Sequence, residues 1–321
     1  MRRRLPLAAF EAGVGGASGS LLRIGRALDD VIASCDREAR LARDPVGTVH
    51  RYDDPLDQEI VGLVAASIAF GNVATIRAKL DDALARLGPG PARAADDEAG
   101  VHARMRGWVH RVFRGEDIAR LVVGARRVQR QCGSLGSAFA EELAATEGDL
   151  RETLARWCSR VRDAGGLTQS ATRSRRRGPA HLLPDPRGAS GSKRLLLYLR
   201  WMIRPRDGVD LGLWSAQVAP SILLCPVDTH IHKLSRNLGF TARTDLSWKT
   251  TEEITRALAL FDPRDPVKYD FALCHMGMLQ RCPSRRDEAR CEGCGVKSVC
   301  RHWQRGPSRG DKASTARERS T

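Results

Sequence analysis

Apolar residues recur with the helical period along almost the whole chain, and this pattern narrows the available folds more than any other feature. Asp54-Pro55 reads as an N-cap with a first-turn proline. Behind it Leu56, Ile60, Leu63, Val64 and Ser67 share one face, and Gly71 closes the segment. Segments 73–87, 99–113, 116–131, 136–146 and 149–163 repeat the pattern, with Gly133-Ser134 and Gly148 as punctuation. Asp265-Pro266 opens a further helix running to about Leu279. Alternating strand patterns are hardly visible, so the expected fold class is all-α.

Three segments lack the periodicity. Residues 1–18 form an Arg- and Gly-rich arm, residues 166–192 a basic connector with Pro179, Pro184 and Pro186, and the tail 304–321 is nearly devoid of apolar residues. The arm and the tail read as disordered.

Lys and Arg number 53 against 38 Asp and Glu, a formal net charge of +15, which points to a polyanionic partner and first to nucleic acid. An Arg-rich composition with no partner in view would give the same excess. With 42% apolar residues the chain can build a core. No run approaches the ~18 apolar residues of a membrane span, and no apolar stretch follows the basic start Met1-Arg2-Arg3-Arg4 as in a secretory signal. The expected setting is the cytoplasm, at the nucleoid.

Of nine cysteines, Cys35, Cys132, Cys158 and Cys225 are scattered singly and read as small buried hydrophobes. Cys282, Cys291, Cys294 and Cys300 are instead spaced x8, x2 and x5 near the C-terminal end. Soft thiolates in a reducing compartment select zinc or iron–sulfur, and four of them suit either. Arg285, Arg286, Arg290, Lys297 and Arg301 surround them. Cys274, eight residues upstream, reads as a core thiol.

Two further segments carry chemistry. Gly188-Ala189-Ser190-Gly191-Ser192 is a turn of small residues leading to Lys193, Arg194 and a helix apolar nearly all round. Such a helix N-terminus is a natural phosphate cradle. The macrodipole there disfavours a protonated lysine, so Lys193 is either a nucleophile or a phosphate contact. In the second segment, Val227, Ile231, Leu234 and Leu238 form the stripe of a short helix that Gly239 ends. Asp228 stands at its start, where a carboxylate caps. His230 and His232 diverge on a helix and make a poor metal pair.

In this order the three pieces resemble the helix-hairpin-helix DNA glycosylases, the superfamily of endonuclease III. Tyr52 through Ile60, Lys193 through Arg204, and Asp265 through Phe271 look closest to a bacterial family within it, described only as a domain of unknown function (family 2400). The likeness covers residues 20–303. It implies that Lys193 is the catalytic nucleophile, Asp228 the catalytic carboxylate, and Cys282, Cys291, Cys294 and Cys300 the ligands of a [4Fe–4S] cluster, with zinc as the alternative. It also implies that Gly188, Gly191, Ser192 and Arg194 bind the DNA backbone. The position of the wedge falls at Phe70-Gly71-Asn72, with Phe70 as core and Asn72 filling the gap left by an extruded base. The hairpin departs from the usual Leu-Pro-Gly-Val-Gly. The inserted Arg204–Asp210 stretch resembles the longer spacing of archaeal 8-oxoguanine glycosylases.

The resemblance implies a two-subdomain fold with a cleft between: a helical barrel over 47–205 carrying the hairpin, and residues 19–46 with 206–303 carrying the cluster. The implied function is excision of a damaged base from double-stranded DNA, with abasic-site lyase activity, in base-excision repair, by a monomer. A non-catalytic iron–sulfur DNA-binding protein and a zinc-stabilised nucleic-acid module are the alternatives.

Overall fold

The computed structural model describes residues 17–167 and 178–304 of the chain. The longer helices are α1 (Ala17–Ala33), α2 (Pro55–Ile68), α3 (Val73–Leu87), α4 (Glu98–Arg104), α5 (Gly115–Cys132), α6 (Leu135–Ala145), α7 (Leu150–Ala164), α8 (Lys193–Ile203), α9 (Thr229–Leu238), α10 (Trp248–Leu258) and α11 (Asp270–Leu279). Among the described residues the only sheet is the antiparallel hairpin of β1 (Val109–His110) and β2 (Phe113–Arg114). The protein is therefore all-α. None of the described helices is long and apolar enough to cross a membrane.

The described residues divide into two compact units, one lying within Arg37–Pro226 and one made of residues 17–36 together with 227–304. In the first, α2 is the axis. Asp54 caps it by accepting from the Leu56 amide at 2.8 Å, but the apolar stripe expected on one face becomes burial at every position from Asp57 to Ile68. Helix α8 presses against it at Gly62, where a Cβ would stand 2.6 Å from Met202 Cε and 3.3 Å from Tyr198 Cε2. The burial extends to a charge. Glu59 accepts from the Leu135 and Gly136 amides (2.8 and 3.0 Å), Gln129 Nε2 (2.8 Å) and Trp214 Nε1 (2.7 Å). Four donors offset part of the desolvation of that carboxyl group, whose pKa burial still raises, and fix the start of α6 against α2. Around it Trp157 stacks on Tyr198 and Phe139 on Trp214.

The unit boundaries fall at 36/37 and 226/227, whereas the sequence placed them at 46/47 and 205/206. The chain after α8 folds straight back onto it. The Leu211 and Trp214 amides donate to the Trp201 and Met202 carbonyls at 2.8 and 2.7 Å. Asp210, fully buried, accepts from Arg200 Nε at 3.0 Å and pairs with Arg204. On the other side, Val46, Thr48 and Val49 are buried, and His50 Nε2 bonds the Val209 carbonyl at 2.8 Å.

In the second unit α11 packs against both α1 and α9, and Phe261 lies between Phe240, tilted against it, and Tyr269, which it meets edge to face. Ser247 caps α10, which sequence reading missed, by accepting from the Thr250 amide at 3.4 Å.

Other expectations need correction. The helix expected over 99–113 stops at Arg104. Gly107 and Arg111 take positive φ (80° and 54°), and the chain turns into the hairpin with Trp108, His110 and Phe113 inward. The helix expected from Asp265 starts at Asp270. Asp262 instead accepts from the amides of Arg264 and Asp265, which holds a turn there. Much of the basic connector is packed: Leu182 and Leu183 are buried, and Arg151 bonds the Pro186 and Gly188 carbonyls. Cys158 and Cys225 are buried as expected, but Cys35 and Cys132 are half-buried, and Arg160 donates to the Cys132 thiol at 2.8 Å. The basic arm before Ala17, residues 168–177 and the tail after Gln304 lie outside the described residues.

Candidate functional site

The chemistry-bearing groups divide between the two units. In the Arg37–Pro226 unit, Lys193 is the first residue of α8 and is half-buried. The turn before it is exposed from Arg187 to Ser190, then dives inward, with Gly191 and Ser192 buried. The strained position is the serine, not a glycine. Ser192 sits at φ 53°, ψ 33°, makes no side-chain cap, and buries its Oγ with no hydrogen-bond partner among the described residues. A non-glycine residue in the left-handed region costs about 1–3 kcal/mol and is held only where its surroundings dictate it. The Ser192 carbonyl accepts from the Leu195 and Leu196 amides at 3.0 and 3.1 Å.

Arg194 differs most from expectation. Its guanidinium turns into the protein and bonds the Ser67 carbonyl at the end of α2 and the His181 carbonyl. It also lies 5.4 Å from the centre of the Phe70 ring. Burial lowers its pKa to about 10. The guanidinium is thus committed to two carbonyls and an aromatic face of its own unit.

Phe70 is the centre of a cluster that spacing alone did not reveal. His110, Phe113 and His181 surround its ring at 5.8, 5.5 and 5.2 Å, and Arg111 lies 5.0 Å over it. Burial holds both histidines toward the neutral form, assisted by Arg111 beside His110 and Arg194 beside His181. Gly71 at φ 107° carries the chain past the Arg111 guanidinium, which a Cβ would meet at 2.3 Å. Asn72 then stands exposed as the cap of α3, accepting from the Thr75 amide at 3.2 Å.

In the other unit, half-buried Asp228 caps α9. Its Oδ1 accepts from the amides of His230 and Ile231 at 2.9 and 2.8 Å, and its Oδ2 accepts from the Cys274 thiol at 3.5 Å. Val227, Ile231, Leu234 and Leu238 are buried, as the stripe required, and Gly239 ends the helix in the left-handed region. His232 Nε2 bonds the Arg243 carbonyl, so it is satisfied locally.

Cys282, Cys291, Cys294 and Cys300 line one pocket of this unit with Leu234, Asn237 and Trp303. Asp287 caps the short helix Glu288–Cys291, and a turn with Lys297 N bonded to the Cys294 carbonyl leads to Cys300. Asn237 Nδ2 donates to Cys282 Sγ at 3.3 Å. Burial pushes the Cys282 thiol up to about 11 and raises Cys294 and Cys300 as well, so binding a metal there must displace protons. Arg286 and Lys297 lie 4.1 and 4.2 Å over the Trp303 ring. Among the described residues no three His, Cys, Asp or Glu side chains are grouped to hold a single ion. The four soft donors nevertheless share one pocket, and that donor set fits a thiolate-bound metal centre.

Sequence reading missed the Cys274–Asp228 contact, the Asn237 donor and the Phe70 cluster, each made by residues far apart in the chain. No curated protein and no solved structure matches the chain. Residues 44–279 match the family model described as "Protein of unknown function (DUF2400)", a span that takes in Asn72, Lys193, Asp228 and Cys274 and ends before Cys282. The match covers more than two thirds of the chain, which therefore belongs to the DUF2400 family.

Proposed function

We propose that the protein is a DNA glycosylase of helix-hairpin-helix type with abasic-site lyase activity, acting on double-stranded DNA in base-excision repair. The observation that carries the reading is local to residues 190–196. There a lysine opens a buried helix directly behind a left-handed serine whose hydroxyl is buried without a partner among the described residues. A helix N-terminus of this kind favours a phosphate and presents an amine beside it. The four-thiol pocket and the capped Asp228 support the same reading.

The base must leave the stack, at a cost of a few kcal/mol, and Asn72 fills the space it vacates. As the bond from C1′ to the base breaks, the electron pair leaves with the base and the sugar becomes electron-poor. Asp228 offers a fixed negative charge to that sugar. The Lys193 amine attacks C1′, one of its protons passes to the ring oxygen as the C1′–O4′ bond breaks, and a protonated imine forms. Loss of a C2′ proton then expels the 3′ phosphate. Cys282, Cys291, Cys294 and Cys300 would hold a [4Fe–4S] cluster, which would cross-link the loop and supply no step of the reaction. On this reading the protein is a cytoplasmic monomer whose polyanionic partner is DNA.

Borohydride trapping on duplexes that each carry one damaged base or an abasic site tests the proposal. The expected result is a covalent adduct that Lys193→Ala abolishes while DNA binding survives. An undiminished adduct in the variant removes Lys193 from the mechanism. Salt-dependent binding with no adduct on any duplex makes the protein a non-catalytic DNA binder. Iron and zinc analysis of the purified protein, brown if it holds the cluster, decides the metal.

A further inference from the structure

Cys274 lies half-buried on α11, outside the four-cysteine loop, and its thiol donates to Asp228 Oδ2 over 3.5 Å. The contact is built into the packing of two helices. At Gly277, one turn further on, a Cβ would stand 2.9 Å from Leu234 Cδ1 and 3.4 Å from His230 Cβ. Glycine there lets α9 settle close against α11, which brings the capping carboxylate to the thiol.

The two oxygens of Asp228 are thus held differently. Oδ1 is fixed by two amides of its own helix, which satisfy the cap. Oδ2 is held from a separate helix by a weak donor. A weak donor sets the plane of the carboxylate yet withdraws little of its charge, whereas a charged or strong donor would neutralise part of it. We propose that Cys274 is a positioning residue that aims the Asp228 carboxylate at the substrate sugar. This rests on the glycosylase reading, in which the Asp228 charge faces the sugar as the base departs.

Single-turnover kinetics with Cys274→Ala and Cys274→Ser test it. Removing the donor is expected to lower kcat about tenfold with KM unchanged, because a misaimed charge weakens only the transition state. The serine hydroxyl is expected to restore most of the rate. Equal kcat in Cys274→Ala and wild type overturns this inference alone, and so does a loss that serine fails to rescue. A wild-type protein inactive on every duplex overturns both this inference and the function it rests on. A second measurement is independent of turnover: alkylation of Cys274 by iodoacetamide, read by peptide mass spectrometry. With the neighbouring charge removed in Asp228→Asn, alkylation at pH 8 is expected to run about fivefold faster. An unchanged rate means that the two groups do not meet, and overturns the inference.

Discussion

Asp228 caps α9, and the proposed mechanism gives it a second job that comparing Asn and Ala at this position separates from the first. Its Oδ1 accepts two amide bonds that complete the start of α9. An asparagine oxygen keeps both bonds and caps about as well as aspartate. Asp228→Asn therefore forfeits only the favourable charge at the helix N-terminus, about 0.3–1 kcal/mol. Asp228→Ala also loses the cap, about 1 kcal/mol more. On a chain of this size these losses lower Tm by about 1 °C and about 2–3 °C. If the carboxylate stabilises a developing positive sugar, both variants lose that charge completely. Each is then expected to fall about 10²–10³-fold in single-turnover rate, or about 3–4 kcal/mol. The signature of chemistry is equal loss of rate in two proteins of unequal stability. Thermal melts and single-turnover excision on one duplex supply both numbers. Asp228→Asn turnover within about threefold of wild type would falsify the catalytic role and leave Asp228 as a cap alone.

Arg194→Ala takes the donor from the carbonyls of buried Ser67 and exposed His181 and is expected to cost about 2 kcal/mol of stability while leaving the salt dependence of DNA binding unchanged. A salt slope lower by about 1 would instead mark Arg194 as a phosphate contact and refute its inward role. Asp245 is held below the usual carboxylate range by the Ser247 and Thr250 hydroxyls and the Ser247 amide. Its contribution is thus present above the ordinary aspartate pKa and lost as pH falls toward the depressed one. Asp245→Asn is expected to flatten the fall in Tm below about pH 4, and an unchanged acid limb would refute the assignment.

What was legible in the sequence was whatever neighbouring residues decide. Asp54-Pro55 marked the start of α2, Ser134 and Asp149 stand as the caps of α6 and α7, and Gly239 closed α9, because caps and left-handed stops act within a few residues. The same locality misled at 99–113. There apolar spacing suited a helix, but two positive-φ residues and the inward Trp108, His110 and Phe113 suit a hairpin. Asp265-Pro266 carried the signature of an N-terminus that a neighbouring carboxylate, Asp262, had already used for a turn. The site was legible in residue type and illegible in direction. Nothing in the spacing says that Arg194 points inward while Lys193 beside it stays half-exposed, since that is decided by Ser67, Phe70 and His181 from distant segments. The unit boundaries were likewise set by pairings such as Arg200–Asp210, invisible until the chain after α8 folds back.

Within each unit the candidate reactive group is mechanically joined to a feature far from it in sequence. Arg194, adjacent to Lys193, holds the end of α2 through Ser67 and packs on Phe70, two residues before Asn72. Lys193 and Asn72, the proposed nucleophile and gap-filling residue, therefore flank one packed framework of Arg194, Ser67 and Phe70. In the other unit, α9 carries Asp228 at its first end. At its far end Asn237 donates to Cys282 Sγ and to the Pro283 carbonyl, and Arg301 donates to the carbonyl of Gly239. Ten residues of helix, about 15 Å, separate the carboxylate from the thiol pocket. That distance is too long for the pocket to touch the reacting sugar that Asp228 would face. It is short enough for a rigid helix to pass any loosening of the cysteine loop to its capping end. On the proposed glycosylase reading, the four thiols would act on the chemistry only by fixing one end of the helix that carries the carboxylate.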